Sequence, residues 1–292
     1  TFKHRVNIPA YPVQEMGGLI WAYLGPTPVP LLPRWDLLVR DDLQREVGIT
    51  RLPCNWLQAA ENSLDPVHVE YLHAVYMNYV HRRQGRPTTP PRHHVRIAFD
   101  VWDYGISKRR LLEGDDPLTS EEWLVGHPVI FPGHLALGSD AAPRFEFRVP
   151  LDDDHVMIMS YFTSKRKPDE EELPVQYYEI PWKNADGSLV VDTVLGQDFM
   201  AWVTQGAIND RTTERLGTSD KGVILFRSLI LEQIEKVQRG EDPMGVVRDP
   251  AQHTPFLTVP RERLAFFTHV AGLAASPDEV ESDPLALIRR KQ

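Results

Sequence analysis

The sequence predicts an α+β fold, and three observations carry that expectation. A middle stretch has a hydrophobic period of two, helical periodicity lies on either side of it, and prolines stand as punctuation between short segments. Proline supplies 25 of the 292 residues, so the elements must be short and numerous.

The elements follow in order. Residues 5–24 read as a hairpin: Val6 and Ile8 alternate with Arg5 and Asn7, Gly17-Gly18 supplies a turn, and residues 19–24 form an apolar strand. A lone hairpin is marginally stable, so this one is expected to close a small domain whose earlier strands precede Thr1. Residues 25–33 hold too many prolines for a central strand or helix and read as a linker. Residues 1–33 are thus a domain remnant with its linker, and 34–292 the main domain. Residues 43–52 make a strand. Asn55 then caps a helix over 56–64, with Gln58 placed for a capping box. Asp65-Pro66 marks a break and a restart, giving a second helix over 66–75. In the middle, Val95, Ile97, Phe99 and Val101 alternate with polar residues, as do Phe145, Phe147 and Val149; 123–131, 135–137 and 156–162 add strands of an antiparallel sheet. Helices return over 192–205 and 222–239, the latter with a stripe of Val223, Phe226, Ile230, Ile234 and Val237.

Composition excludes several classes of function. Lys and Arg number 32 against 41 Asp and Glu, a formal charge of −9 that disfavours nucleic acid and anionic lipid as partners. No apolar run approaches the roughly 20 residues of a membrane span, and no signal sequence is visible, so a cytoplasmic protein is expected. The single cysteine, Cys54, allows no disulfide framework and no all-cysteine metal site within the chain. It reads as a small buried hydrophobe. Any metal must be held by histidine and carboxylate.

His68 and His73 are the candidates for such a site. Five positions apart, they differ by roughly 140° on an ideal α-helix, so they converge only if the helix is irregular. Two imidazoles and one carboxylate leave open positions on a ferrous ion. Asp198 is the candidate carboxylate, because Val194, Leu195, Ala201 and Trp202 give its helix face an apolar character in which an unpaired charge is costly. Asp192, Glu179, Asp210 and Glu214 are weaker candidates. Asp65, three residues before His68, can act as a helix cap or as an acceptor that fixes a ligand ring.

The segment Glu61-Asn-Ser-Leu-Asp-Pro-Val-His-Val-Glu-Tyr-Leu-His73 closely resembles the iron-binding motif of Rieske non-haem iron oxygenase α subunits. Asn55-Trp56, the segment Gly196-Gln-Asp-Phe-Met-Ala-Trp-Val-Thr-Gln205 and the hairpin Tyr11-Pro-Val-Gln-Glu-Met-Gly-Gly-Leu-Ile-Trp-Ala-Tyr-Leu-Gly-Pro26 are similar to the same family. The run Asn209-Asp-Arg-Thr-Thr-Glu-Arg-Leu-Gly-Thr-Ser-Asp220 is similar to its phthalate dioxygenase and aromatic O-demethylase branch.

The resemblance implies a helix-grip catalytic domain, an antiparallel sheet curled around a long C-terminal helix, preceded by the remnant β-hairpin of a Rieske domain. It implies His68, His73 and Asp198 as ligands of a mononuclear Fe(II), Asn62 near the iron, and Asp65 as the bridge to a Rieske histidine of a neighbouring subunit in a homotrimer. The implied reaction is hydroxylation of an aromatic ring, or O-demethylation of a methoxy-aromatic compound, with dioxygen and with electrons from NAD(P)H through a reductase or ferredoxin. A Rieske 2Fe-2S centre needs two cysteines and two histidines. Cys54 has no such partners, so the cluster is expected only in a complete protein with an upstream domain.

A different class of function remains open to the same sequence. A helix-grip sheet can enclose an apolar ligand without catalysis, with Phe99, Trp102, Trp123 and Phe131 as its lining. A zinc hydrolase would use the same three ligands but needs a general-base motif that does not stand out. His127 and His134, flanking residues 128–133, can orient a polar group, although each reads first as a loop or edge-strand histidine. Residues 184–187 read as a turn.

Overall fold

The computed structural model describes residues 2, 5, 8, 10–138, 142–253 and 257–259. The chain forms a two-stranded sheet, an eight-stranded sheet and helices that cover the latter. In the small sheet, β1 (Val13–Met16) pairs antiparallel with β2 (Leu19–Ala22). Gly17 and Gly18 both take positive φ, 63° and 73°, as the mirror-image hairpin turn requires. The turn also lies close against the main sheet. The Tyr161 hydroxyl donates to the Gly17 carbonyl at 2.6 Å, and a Cβ at Gly17 would meet that hydroxyl at 2.7 Å. Ile8 is exposed, and Val6 and Asn7 lie outside the described residues.

Residues 25–33 are an extended segment with no helix, held to the body by a bridge between Leu31 and Val247. After a short α1 (Asp36–Val39), β3 (Leu43–Leu52) enters the large sheet. Its strand order is β10-β3-β9-β8-β7-β6-β5-β4, with β4 (His94–Trp102), β5 (Gly105–Leu112), β6 (His127–Ile130), β7 (His134–Leu137), β8 (Arg144–Pro150), β9 (Val156–Lys165) and β10 (Gln176–Glu179). All pairs are antiparallel except one. β10 runs parallel to β3, so the sheet is not purely antiparallel as the alternation pattern implies.

Several local expectations need correction. The strand expected over 123–131 is divided: Glu121–Leu124 forms one helical turn, α4, in which the Leu124 and Val125 amides donate to the Ser120 and Glu121 carbonyls. Gly126, at φ 77°, ends it and β6 follows. Asn55 does cap α2 (Trp56–Asn62), its side chain accepting from the Leu57 amide at 2.9 Å. There is no capping box, because Gln58 reaches across to residues 206–209 instead, donating to the Gly206 carbonyl at 3.1 Å and accepting from the Asn209 amide at 2.9 Å. The second helix is longer and of another kind than expected: a π-helix over Val69–Tyr76 continues into α3 (Met77–Arg83).

The downstream helices are α5 (Val194–Val203), capped by Thr193, and α6 (Lys221–Gln238). In α6 the buried set is Val223, Phe226, Leu229 and Gln233, while Ile234 and Val237 are exposed. The apolar stripe therefore covers the sheet only along its first half. Phe226 and Leu229 pack with Ala60 and Leu64 against Ile106, Val129 and Leu135 of the sheet. The opposite face carries a second core of Val47, Ile130, Ala136, Phe145, Phe147 and Tyr161, covered by Trp35, Leu37 and Leu38.

Candidate metal centre

His68, His73 and Asp198 come together although Asp198 is distant in sequence. One ligand atom from each lies within 4.8 Å of the others. His73 Nε2 is 3.2 Å and His68 Nε2 3.8 Å from Asp198 Oδ1, and the two imidazole rings are 5.0 Å apart, nearly perpendicular. The five-residue spacing that an α-helix cannot align is aligned by the π-helix, whose i→i+5 repeat stacks residues five apart.

Hydrogen bonds hold the Nδ1 side of each ring and leave Nε2 as the nitrogen that faces Asp198. His73 Nδ1 donates to Gln197 Oε1 at 3.1 Å, and Gln197 is itself held by donating to the Val191 carbonyl at 2.9 Å. His68 Nδ1 lies 2.5 Å from the Asp65 carbonyl, which can only accept. Both rings are therefore anchored through Nδ1 and present Nε2 to Asp198. Asn62 Nδ2 donates to Asp198 Oδ1 at 3.3 Å. Asp65 is outside the three-donor group; its carboxylate accepts from the Val67 amide at 2.8 Å and stands 3.9 Å from His68 Nδ1. The structure thus gives Asp65 both a capping contact and a position beside the site.

Burial and charge set the titration of these groups. Burial, then the neighbouring His73, holds the His68 imidazole well below its ordinary value. For His73 burial acts the same way but is outweighed by the Asp198 carboxylate, which raises it. Burial disfavours the charge on Asp198, yet His73 prevails and holds the carboxyl below the usual range. Burial pushes the Asp65 carboxyl up. This donor set, two imidazoles and a buried carboxylate, is what a ferrous ion with vacant positions takes.

The sheet face opposite this group is lined with cations, which the sequence reading missed. Lys108 and Arg110 on β5, His127 on β6, and Glu146 and Arg148 on β8 are all buried. Arg148 pairs with Glu146 at 2.7 Å and donates to the Ala59 carbonyl of α2 at 3.1 Å. Arg110 pairs with Glu122 at 2.7 Å and donates to His127 Nε2 at 3.1 Å. Lys108 has no ion-pair or hydrogen-bond partner among the described residues; burial, then the charge of Arg110, pulls its ammonium down to about 7. Its charge is felt at Asp65, His68, His73 and Asp198.

The remaining candidates separate. His127 and His134 are on inner strands of the sheet, neither loop nor edge, and on opposite faces. The four aromatics proposed to line one cavity do not meet. Phe99 and Phe131 join the core under α6, Trp102 packs on the far face, and Trp123 lies under the guanidinium groups of Arg96 and Arg109. Of the weaker carboxylates, Glu214 is bound to Arg211 and Arg227, Glu179 faces Arg51, and Asp210 caps a 3-10 turn. None of the four, Asp192 included, belongs to the three-donor group. Residues 184–187 form the expected turn, and Cys54 is buried, its thiol pushed up to about 11.

An eight-stranded sheet backed by helices is a fold this chain shares with solved oxygenase subunits. The terminal oxygenase of carbazole 1,9a-dioxygenase from Nocardioides aromaticivorans superimposes with a TM-score of 0.51 at 18% identity, over 78% of this chain and 69% of that one. A reduced complex between oxygenase and ferredoxin in carbazole 1,9a-dioxygenase gives 0.50 at 20% identity, over 76% and 64%.

The chain belongs to the Rieske oxygenase subunits, in the branch of phthalate dioxygenase and aromatic O-demethylases. A family model described as "LigXa C-terminal domain like" matches residues 185–260. The chain is 40% identical, over 99% of its length and 66% of the relative's, to the 5,5'-dehydrodivanillate O-demethylase oxygenase subunit of Sphingobium sp. strain SYK-6. It is 25% identical to the phthalate 4,5-dioxygenase oxygenase subunit of Pseudomonas putida, over 82% and 62%. With the phenoxybenzoate dioxygenase subunit alpha of Ectopseudomonas oleovorans it shares 28% identity over 82% and 60%. The chain spans about two-thirds or less of the length of these relatives.

Proposed function

We propose that this chain is the catalytic part of an oxygenase component that hydroxylates an aromatic ring or O-demethylates a methoxy-aromatic compound, the domain being residues 34–292. The observation that carries the reading is the convergence of His68, His73 and Asp198, with both Nε2 atoms facing one carboxylate. These three residues would hold a mononuclear ferrous ion, which when bound supplies the activation of dioxygen. The chain's own residues keep the ligands in place: Gln197 and the Asp65 carbonyl fix the imidazole tautomers, and Asn62 orients the aspartate. Asp65, partly exposed beside His68, is assigned the electron-bridging role toward a Rieske histidine of a neighbouring subunit. A Rieske 2Fe-2S cluster, a reductase or ferredoxin donor and a homotrimer complete the assembly, and a cytoplasmic location goes with it.

The cation-lined sheet face favours a substrate that brings negative charge to the ring. Lys108 has no counter-ion of its own, and an unpaired buried ammonium is costly until an anionic group joins it. The phthalate, phenoxybenzoate and dehydrodivanillate named for the relatives fit an aromatic acid.

The test is metal analysis and turnover of Asp198→Ala in the complete oxygenase supplied with its electron donor. Iron is expected to fall to background and turnover with it; full occupancy and activity would reject Asp198 as a ligand. In the same assay Lys108→Met should retain its iron while KM for an aromatic acid rises at least tenfold.

A further inference from the structure

The aromatic face of the large sheet borders a partly open cavity of about 200 Å³ that has no part in the three-donor group. Its walls come from four places: Trp21 of β2, Trp35 at the end of the extended segment, Tyr104 of the β4–β5 turn with His134 and Phe147 of the sheet, and Val246. The strand register puts it on the far side from the metal centre. Ile130 stands opposite His134 and Ala136 opposite Phe145, so these side chains share one face; Lys108 and His127, paired across β5 and β6, share the other. The eight-stranded sheet therefore separates the two.

Three features favour a ligand of definite chemistry. The size is right for one ring, since an apolar cavity of about 150 Å³ is enough to bind benzene. The lining is right for a planar apolar body: Trp35 and Tyr104 meet edge to face at 5.1 Å and Trp21 and Phe147 at 5.9 Å, leaving ring edges and faces for a further aromatic group. One polar handle is present, because His134 Nδ1 is buried with no hydrogen-bond partner among the described residues. Burial, then the charge of Arg148, lowers this imidazole to about 4, so it is neutral near pH 7 and offers one accepting nitrogen without bringing charge.

We propose that this cavity is a second ligand site, which takes an uncharged single-ring phenol whose hydroxyl donates to the His134 imidazole. The site joins the hairpin, the extended segment and the sheet, so its occupant ties these three parts together. The proposal goes beyond the oxygenase reading and stands without it, because none of its walls is a metal-ligand candidate.

The experiment is a titration of the protein with phenol, followed by the indole N–H resonances of Trp21 and Trp35. Saturable shifts of both are expected. Benzoate should bind there at least tenfold more weakly, since no wall of the cavity offers a cation. Val246→Phe, which fills the void, should weaken phenol at least tenfold. Leu32→Trp is the second filling variant if the first does not fold. His134→Leu should weaken phenol several-fold and leave toluene unchanged. Asp198→Ala should bind phenol as the parent does, even with no metal bound. Shifts that never saturate, that survive both filling variants, or that vanish in Asp198→Ala would overturn the assignment; loss only in the last would place phenol at the metal centre instead.

Discussion

The two faces of the eight-stranded sheet bury comparable numbers of large side chains by opposite means. On the metal side lie Lys108, Arg110, His127, Glu146 and Arg148, none more than 8% exposed, interleaved with Ile106, Val129 and Leu135. On the other side Phe145, Phe147, Tyr161 and Trp35 meet edge to face with no ion pair among them. The contrast teaches where stability and function part. A face that buries aromatics is held by burial and dispersion, whereas one that buries charge is held only while each charge keeps its partner.

The largest expected effect breaks the charged face at its tightest pair. Arg148→Ala removes the guanidinium 2.7 Å from Glu146 and leaves a carboxylate buried alone. Urea denaturation should report a loss of about 3–5 kcal/mol, with most of it recovered when Glu146→Gln is added. Phe145→Ala on the aromatic face should cost a similar amount, about 3–5 kcal/mol, but no second substitution of charge should recover it. A loss on Arg148→Ala that Glu146→Gln leaves unchanged would mean packing, not charge, holds the metal side.

Next in size are two pH signatures, one from each face. Unfolded lysine keeps its proton to about pH 10.4, while folded Lys108 gives it up near 7. Between these values the unfolded chain binds more protons, so stability rises with pH; the gain is complete above the unfolded value and is lost as pH falls through 7. Denaturation midpoints compared between the parent and Lys108→Met should show this slope vanish, a difference on the order of 4 kcal/mol across the window. His134 acts in a lower window. Its imidazole titrates at about 4 rather than the usual 6.5, so stability is present above 6.5 and is lost as pH falls toward 4. His134→Leu should flatten that window by roughly 3 kcal/mol. If the two variants flatten the same window, the two faces are not independent.

The alternation of Val95 to Val101 and of Phe145 to Val149 made β4 and β8 legible, because at least one face of each strand obeys the apolar rule. β5 was not legible, since Ile106-Ser-Lys-Arg-Arg-Leu-Leu112 carries Lys108 and Arg110 inward and no period of two survives. β5 and β8 each give two charged residues to that lining, and only β8 keeps an apolar alternation on its other face. β10 was hidden for another reason: its four residues are largely exposed and its pairing with β3 is non-local. His68, His73 and Asp198 were singled out as candidates from residue type and from the motif resemblance, yet the π-helix that brings the two histidines together was not, because i→i+5 bonding leaves no apolar period of its own over eight residues. α6 shows the limit from the other side. Ile234 and Val237 continue its stripe in sequence, but both stand exposed.

The smallest expected effect separates the metal centre from both cores. Gln197 was not singled out from the sequence, being a neutral residue beside the more conspicuous Asp198, yet its amide accepts the His73 Nδ1 proton at 3.1 Å. Its own Nε2 is held on the Val191 carbonyl, so the amide cannot turn without breaking a second bond. Gln197→Ala frees the His73 ring to rotate and to change tautomer, after which Nε2 meets the metal only part of the time. Iron affinity should fall about 10–100-fold, measured by titration of the metal-free protein against a competing chelator. Gln197→Glu keeps an acceptor at the same place and should retain most of the affinity, which loss of packing alone would not allow. Phenol binding on the far face should not change in either variant, since the sheet stands between them. An iron affinity that falls equally in both would show that the amide fills space and does not aim the ring.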